Sequence, residues 1–327
     1  MTVEQQLNIN FTGIEANTLF FEPIYQDPDV RADFRVISNV TSKRKLAFVQ
    51  ELEKVVRQYS GCGFTPAGNA KIYERTLQVD KVKVNLEWCW EEFKDTVYEE
   101  ALNKGISLPD ISGTLIFNIL QTLAQSAIKK DNRSLAFFGD RASVNPIYDA
   151  TDGLWTVYIP QFIAANQCPY TNTASGAPLA SGDGIGYLRD VYNAADVRLK
   201  GLPNNMKKFY VSGSVFEQYR EDLENGGGGD AGVTLLQNGQ EVYSFRGIEV
   251  KPMWLWDEIM ASTDFNQPDT HFILYTTPQN LVFGTDLLDA ENQFKVWYNE
   301  EDEVMRLKAL YKMGFNVVHP SLLSVGY

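Results

Sequence analysis

Val304-Met-Arg-Leu-Lys-Ala-Leu-Tyr-Lys-Met313 is the stretch that decides the fold class. Apolar Met305, Leu307, Ala309, Tyr311 and Met313 alternate with Arg306, Lys308 and Lys312. That is the two-residue period of a strand with one face buried and one face wet. A helix would instead repeat its apolar positions every three or four residues. Upstream, Phe272–Thr276, Asn280–Phe283 and Phe294–Tyr298 read as further strands. Glu300-Glu-Asp-Glu303 falls between the last two strands as a solvated turn.

Further toward the N-terminus the period changes. Ser107-Leu-Pro-Asp110 resembles a capped helix start with an early proline. It opens a long amphipathic helix through Ile111, Leu115, Ile119, Leu123 and Ala127, with a predicted stop near Lys129-Lys130. Phe93, Val97, Ala101 and Leu102 predict a shorter helix before it, closed by Gly105. Phe48, Val49, Leu52, Val55, Val56 and Tyr59 predict another over 44–59, followed by a Gly/Pro loop over 60–68. Val82, Val84, Leu86, Trp88 and Trp90 alternate with polar residues as a strand, while Leu77 and Val79 hold the opposite parity. The change predicts a β-bulge at Asp80-Lys81. Residues 34–42 and Leu154–Pro160 are strand candidates, and 1–33, irregular and broken by Pro23 and Pro28, reads as an extended arm.

Beyond a Gly/Ser/Ala/Thr-rich loop at 169–186, the pattern predicts a helix over 186–200 and a strand at Lys208–Ser212. Ser214-Val-Phe-Glu217 reads as a capping box opening a helix to Leu223. Gly226–Gly229 is a loop tip, and Asn238-Gly239 is a hairpin turn between Val233–Gln237 and Glu241–Phe245. Long helices mixed with strands, without regular alternation or internal repeat, make the class α+β.

Composition removes several function classes. The formal net charge of −13 argues against nucleic acid as a bound ligand, which would require clustered Lys and Arg. Cys62, Cys89 and Cys168 form neither a disulfide framework nor a Cys-x-x-Cys pair, so a reducing compartment is the simplest reading. Met-Thr-Val-Glu-Gln-Gln at the N-terminus has no signal-peptide pattern, and no apolar run approaches the roughly 20 residues of a membrane span. The expectation is a soluble protein, intracellular when made.

No site for chemistry emerges. His271 and His319 are the only histidines, and neither has a Gly-x-Ser-x-Gly nucleophile turn nearby. Gly182-Asp-Gly-Ile-Gly186 precedes a helix but lacks the strand and the third glycine of a phosphate cradle. Four consecutive acids at 300–303 point in different directions, unlike the alternating ligands of a calcium loop. Cys62 has no adjacent base to activate it. No catalytic, metal or cofactor residue is expected.

Charge is unevenly placed. Residues 35–83 carry Arg35, Lys43, Arg44, Lys45, Lys54, Arg57, Lys71, Arg75, Lys81 and Lys83 against Glu51, Glu53, Glu74 and Asp80. Residues 286–303 carry Asp286, Asp289, Glu291, Glu300, Glu301, Asp302 and Glu303 against Lys295. The two could pair within one molecule, bridge neighbouring copies head to tail, or stand as unrelated solvated faces.

The order of elements resembles the major capsid proteins of tailed bacteriophages, whose fold is named after phage Hong Kong 97. Carrying the resemblance are Phe138-Gly139-Asp140 and Asp152-Gly153-Leu154 after the long helix, Lys208-Phe-Tyr-Val-Ser212, Gly247-Ile-Glu-Val250, Asn280-Leu-Val-Phe-Gly-Thr-Asp286 and Asn316-Val-Val-His-Pro320. The resemblance implies an N-terminal arm at 1–33 and an extended loop at 34–90. It implies a peripheral domain at 91–135 and 279–313 with a spine helix over 108–130, and an axial domain at 136–278 and 314–327. It further implies a non-enzymatic protein without cofactor, assembling with itself as hexamers and pentamers of an icosahedral shell around double-stranded phage DNA. Scaffold, portal and possible decoration proteins are the implied partners, with assembly in the bacterial host cytoplasm and a final place in the virion capsid. On that reading Lys43, Arg44, Lys45, Lys81 and Lys83 of one subunit meet Glu300, Glu301, Asp302 and Glu303 of the next. An encapsulin-like compartment, or an α+β enzyme with a pocket at His271, His319 or the acidic cluster, are the alternatives.

Overall fold

The structure, a computed structural model, describes residues 9–12, 28–49, 56, 58, 72–89, 115–173, 176–225, 235–237, 240–286, 293–299, 301–302 and 304–327. In chain order its elements are β1 (Ile9–Thr12), α1 (Pro28–Asp33), β2 (Arg35–Ile37), β3 (Lys43–Val49), β4 (Ile72–Gln78), β5 (Asp80–Cys89) and α2 (Leu115–Phe138). Then come α3 (Ile159–Ala164), β6 (Tyr170–Thr171), α4 (Asp183–Ala194), α5 (Val197–Gly201), β7 (Lys208–Ser212) and α6 (Gly213–Glu224). The remainder is β8 (Leu235–Gln237), β9 (Gln240–Val242), β10 (Ser244–Phe245), β11 (Ile248–Met253), α7 (Trp254–Met260), β12 (Ile273–Thr276), β13 (Leu281–Thr285), β14 (Gln293–Asn299), β15 (Val304–Val317) and β16 (Ser324–Gly326).

Two sheets share the core. The first runs β1-β14-β15-β13-β2, with β5 also paired to β15. The first half of β15 has β14 on one edge and β5 on the other, both antiparallel, and its second half pairs with β13. The alternation read from the sequence holds: Met305, Leu307, Ala309, Tyr311 and Met313 are buried. They pack against Leu120, Ala124, Ile128 and Leu135 of α2, and the Tyr311 hydroxyl donates to Asn132 Oδ1 at 2.7 Å. The second sheet runs β10-β11-β7-β12-β16-β6. Its central strand β7 lies parallel to β11 and antiparallel to β12. Helices α4 and α6 cover it through Leu188, Val191, Val215 and Tyr219.

Several local expectations change. Arg44–Val49, placed in a helix by the 44–59 pattern, belong to strand β3, whose seven residues all pair with β4; of the rest of that pattern only 56 and 58 are described. Ladder pairing with a distant segment overrides the local period there. No bulge lies at Asp80-Lys81. Instead the extended chain leaves one sheet for another: β4 pairs with β3, Val79 donates its N–H to Ser42 O at 2.9 Å, and β5 pairs with β15. The predicted strand over 34–42 shortens to β2, because Asn39 takes a left-handed φ of 61°. Leu154–Pro160 is a π-helical turn running into α3, with Pro160 in the first turn where its missing N–H costs nothing. The long helix passes its predicted stop and continues to Phe138, since Leu135, Ala136, Phe137 and Phe138 are all buried. The helix predicted over 186–200 begins earlier and is broken at Ala195-Asp196, where Asp196 caps α5 through Arg198 N at 2.8 Å.

The Asn238-Gly239 hairpin has its two strands, β8 and β9, in antiparallel register. The helix expected at 93–102, the start of the long helix at 107–114, the loops at 60–68 and 226–229, and Glu300 and Glu303 lie outside the described residues.

Candidate inter-subunit surface

His271 and the Gly182–Gly186 segment are committed to the fold. His271 is buried, and its Nε2 lies 2.7 Å from Ala177 O, which assigns the proton to Nε2. Nδ1 then faces Ser214 Oγ as an acceptor at 3.4 Å. The nearby carboxylate, Asp257, accepts from the Ser214 backbone N–H at 2.7 Å. A nucleophile–base–acid relay would need that carboxylate on the far ring nitrogen, where a carbonyl stands instead. The same contact replaces the predicted capping box, since the acid that satisfies this helix start comes from α7. Gly182-Asp-Gly-Ile-Gly186 does begin a helix. Buried Asp222, however, already accepts from Gly182 N at 2.6 Å and Ile185 N at 3.2 Å, so the helix start holds an internal carboxylate where a phosphate would sit. Gly184 has a purely steric role: a Cβ there would strike the Tyr219 backbone of α6. Among the described residues no group of three His, Cys, Asp or Glu is arranged to hold a metal, and no helix is long and apolar enough to cross a membrane.

The basic candidates divide between two places. Lys43, Arg44 and Lys45 are exposed on β3, where Lys45 Nζ meets Glu74 Oε2 of β4 at 2.7 Å. Lys81 and Lys83 are exposed on β5, on the face of the first sheet turned away from α2. Half-buried Lys295 and Lys308, which stand directly opposite each other on β14 and β15, share that outer face. The sequence suggested one basic hairpin; the structure has a basic ribbon and a separate basic sheet face.

The acidic turn sits at the far end of β5. Val304 is in register with Cys89, and Arg306 bridges Glu87 Oε2 and Asp302 Oδ2, each at 2.7 Å. Asp302 also accepts from Asn299 Nδ2 at 2.7 Å. Lys43 is in register with Gln78, just before β5 begins. The ribbon and the turn are therefore separated by the length of β5, roughly 30 Å at about 3.3 Å per residue. Lys43, Arg44 and Lys45 do not meet Glu301 or Asp302 within one chain.

No family model matches the chain, and no curated protein does. Solved structures do match, almost end to end. A chain of the satellite phage P4 procapsid, a particle that includes its size determination protein, is 10% identical with a TM-score of 0.57; the match covers 94% of this chain and 96% of that one. A chain of Gordonia phage Cozz is 11% identical with a TM-score of 0.54, over 90% of this chain and 84% of that one. This is the Hong Kong 97-type capsid fold. The holo-SrpI encapsulin complex from Synechococcus elongatus PCC 7942 is also similar, at 11% identity and a TM-score of 0.50, over 90% of this chain and 84% of that one.

The helix α2 packs beneath the first sheet, and the second sheet is built on β7. Three joints between these parts carry no signal in the sequence. Arg141 is paired with both Asp80 and Asp152, pinning the ribbon's exit to the segment after α2. Asp33, buried at the end of α1, accepts twice from Lys251 Nζ of the second sheet, at 2.8 Å each. Burial raises the Asp33 carboxyl above the usual range, and Lys251 opposes that shift. Arg75 lies 4.5 Å from the centre of the Phe162 ring and donates to Gln167 Oε1 at 2.8 Å. Apart from Arg141 and Asp152, 11 residues apart, the partners in these joints lie more than 60 residues apart, beyond any local spacing rule.

Proposed function

We propose that this chain is a shell-forming capsid protein. Copies of it assemble as hexamers and pentamers of an icosahedral shell that encloses double-stranded phage DNA, within the bacterial host cytoplasm, and remain in the virion. Residues 1–33 serve as the arm, 34–90 as the extended loop, 91–135 and 279–313 as the peripheral domain, and 136–278 with 314–327 as the axial domain. Scaffold, portal and decoration proteins are further partners of such a shell.

The observation that carries this reading is the β3–β4 ribbon. Its strands pair along their full length, and among the described residues they bury Leu46 and Leu77, with Val40, Val79 and Val282, at the base. A two-stranded ribbon is marginal in water by itself. Exposed Lys43, Arg44 and Lys45 have a matching acidic turn on the same sequence that their own chain cannot bring to them. A neighbouring copy supplies it, giving a heterologous contact that closes into rings. Lys81 and Lys83 extend the basic surface along β5, and Glu300 to Glu303 form its counterpart.

The test is the combined reversal Lys43→Glu, Arg44→Glu and Lys45→Glu. Loss of shells and rings with an unchanged melting temperature is the expected result; normal shells would contradict the ribbon–turn contact. The encapsulin likeness supports a second reading, a compartment filled with protein cargo. Nuclease-protected DNA inside particles purified from infected cells separates the two.

A further inference from the structure

Exposed lysines give reach but little affinity, since solvated ion pairs contribute little. A stronger anchor lies at the ribbon's base. A cavity of about 790 Å³ opens between β4, the end of α3, the start of α5 and the end of β15. Arg75, Arg198, His319, Asn166, Gln167 and Ser321 line it. Neither partner of Arg75, the Phe162 ring or the Gln167 amide, is a carboxylate. Its guanidinium is half-buried, and burial lowers its pKa. Of the acids beside it, Glu74 is held by Lys45 at 2.7 Å and Asp196 by Arg198 at 2.8 Å. His319 is pushed below its usual value by burial and then by the fields of Arg198 and Arg75, which marks the cavity as positive. A guanidinium fork beside amide and hydroxyl donors is the geometry that takes an oxyanion in two parallel hydrogen bonds.

The acidic turn carries an exposed carboxylate suited to that site. Glu301 donates its backbone N–H to Asn299 Oδ1 at 3.2 Å, and its side chain has no partner among the described residues. Neighbouring Asp302 is already held by Asn299 and Arg306. The two features stand at opposite ends of β15. Asn316 lines the cavity and Val304 adjoins the turn, roughly 40 Å of extended strand apart at about 3.4 Å per residue. No single chain can join them, whereas a head-to-tail pair of copies can.

We propose that the Arg75–Arg198 cavity is a carboxylate site filled by Glu301 of a second copy, making Arg75 the residue that fixes the register of the ribbon–turn contact. The inference rests on the shell reading above. Its test is a charge swap, with Arg75→Glu and Glu301→Arg made singly and together and assembly followed by light scattering. Each single reversal should raise the concentration needed for assembly by roughly thirtyfold or more, as expected when one partner of a hydrogen-bonded interfacial charge pair is removed. The double variant should restore assembly. Arg75→Gln and Glu301→Gln, with melting curves, separate lost contact from lost folding, because Glu301 is exposed and its substitution leaves the core untouched. Single variants that assemble like the parent would overturn this site while leaving the shell reading intact. Folded single variants that fail, with a double variant that also fails, would overturn the Arg75–Glu301 pairing. A parent chain that never assembles would remove both readings together.

Discussion

The second sheet and the β3–β4 ribbon are both built from short strands, but they satisfy their side chains in opposite ways. Phe209, Tyr210 and Val211 of β7 and every residue of β12 are buried, so both faces of those strands are covered from within the chain. The rings of Phe209 and Tyr275 stack across β7 and β12, with centroids 4.3 Å apart. In β3, Lys43, Arg44, Lys45 and Ala47 are exposed, and Leu46 alone among the residues from Lys43 to Ala47 is buried. Strands covered on both faces hold a single chain together. Strands left open to solvent with an excess of one charge offer their surface to a second molecule. Stability and assembly should therefore respond to different substitutions.

The largest effect on stability belongs to the covered sheet. Phe209→Ala removes a fully buried ring and should cost about 3–5 kcal/mol in chemical denaturation. A loss below about 1 kcal/mol would mean that the second sheet is not the stabilising half. Next comes the crossing point of the two regions. Gly314 of β15 passes so close to Gln78 that a Cβ would overlap the Gln78 carbonyl oxygen. Gly314→Ala should cost about 1–3 kcal/mol and shift the base of the ribbon, impairing stability and assembly together. The lysine and arginine reversals on β3 stand at the other extreme. Each should change stability by less than about 0.5 kcal/mol, while the three together should abolish shells. If they melt the monomer instead, the ribbon is part of the chain's own core and the contrast fails.

Two smaller effects sharpen the comparison. Burial pushes the Cys168 thiol up to about 12. Cys168 should therefore resist thiol reagents at pH 8 in the native protein and react only on unfolding, which mass spectrometry of labelled peptides would record. His319 titrates below its ordinary value of 6.5. The unfolded chain then binds the extra proton first as pH falls. The stability contributed by the neutral ring is full above pH 6.5 and is lost as pH falls through the folded-state value. The effect is small, because the ring is only partly buried. Denaturation curves should show a slope in that window which His319→Gln removes; a slope of the opposite sign would mean that the cavity already holds an anion in the monomer.

What the sequence revealed follows the same division. Met305 to Met313 was legible because burial of one face imposes a two-residue period, and Lys208–Ser212 because a short run of β-prone residues suits a strand covered on both faces. Leu154–Pro160 was misread because a short apolar run fits a buried helix as well as a strand, and only the packing of Leu154, Trp155, Ile159 and Phe162 decides between them. Arg44–Val49 was misread because its conformation is set by Ile72–Gln78, a partner that no local window includes. The charge imbalance was visible, but its resolution into a ribbon, a sheet face and an arginine cavity was not. Arg75 and Gln167 are separated by 92 residues, and their meeting depends on how the two sheets dock.

Shell formation by this chain is the claim on which the rest depends. Negative-stain electron microscopy of the purified protein, with light scattering across a concentration series and with candidate scaffold proteins added, tests it most directly. Closed shells, tubes or ring-shaped capsomers are predicted; a monomer or dimer that stays so under every one of those conditions would contradict it.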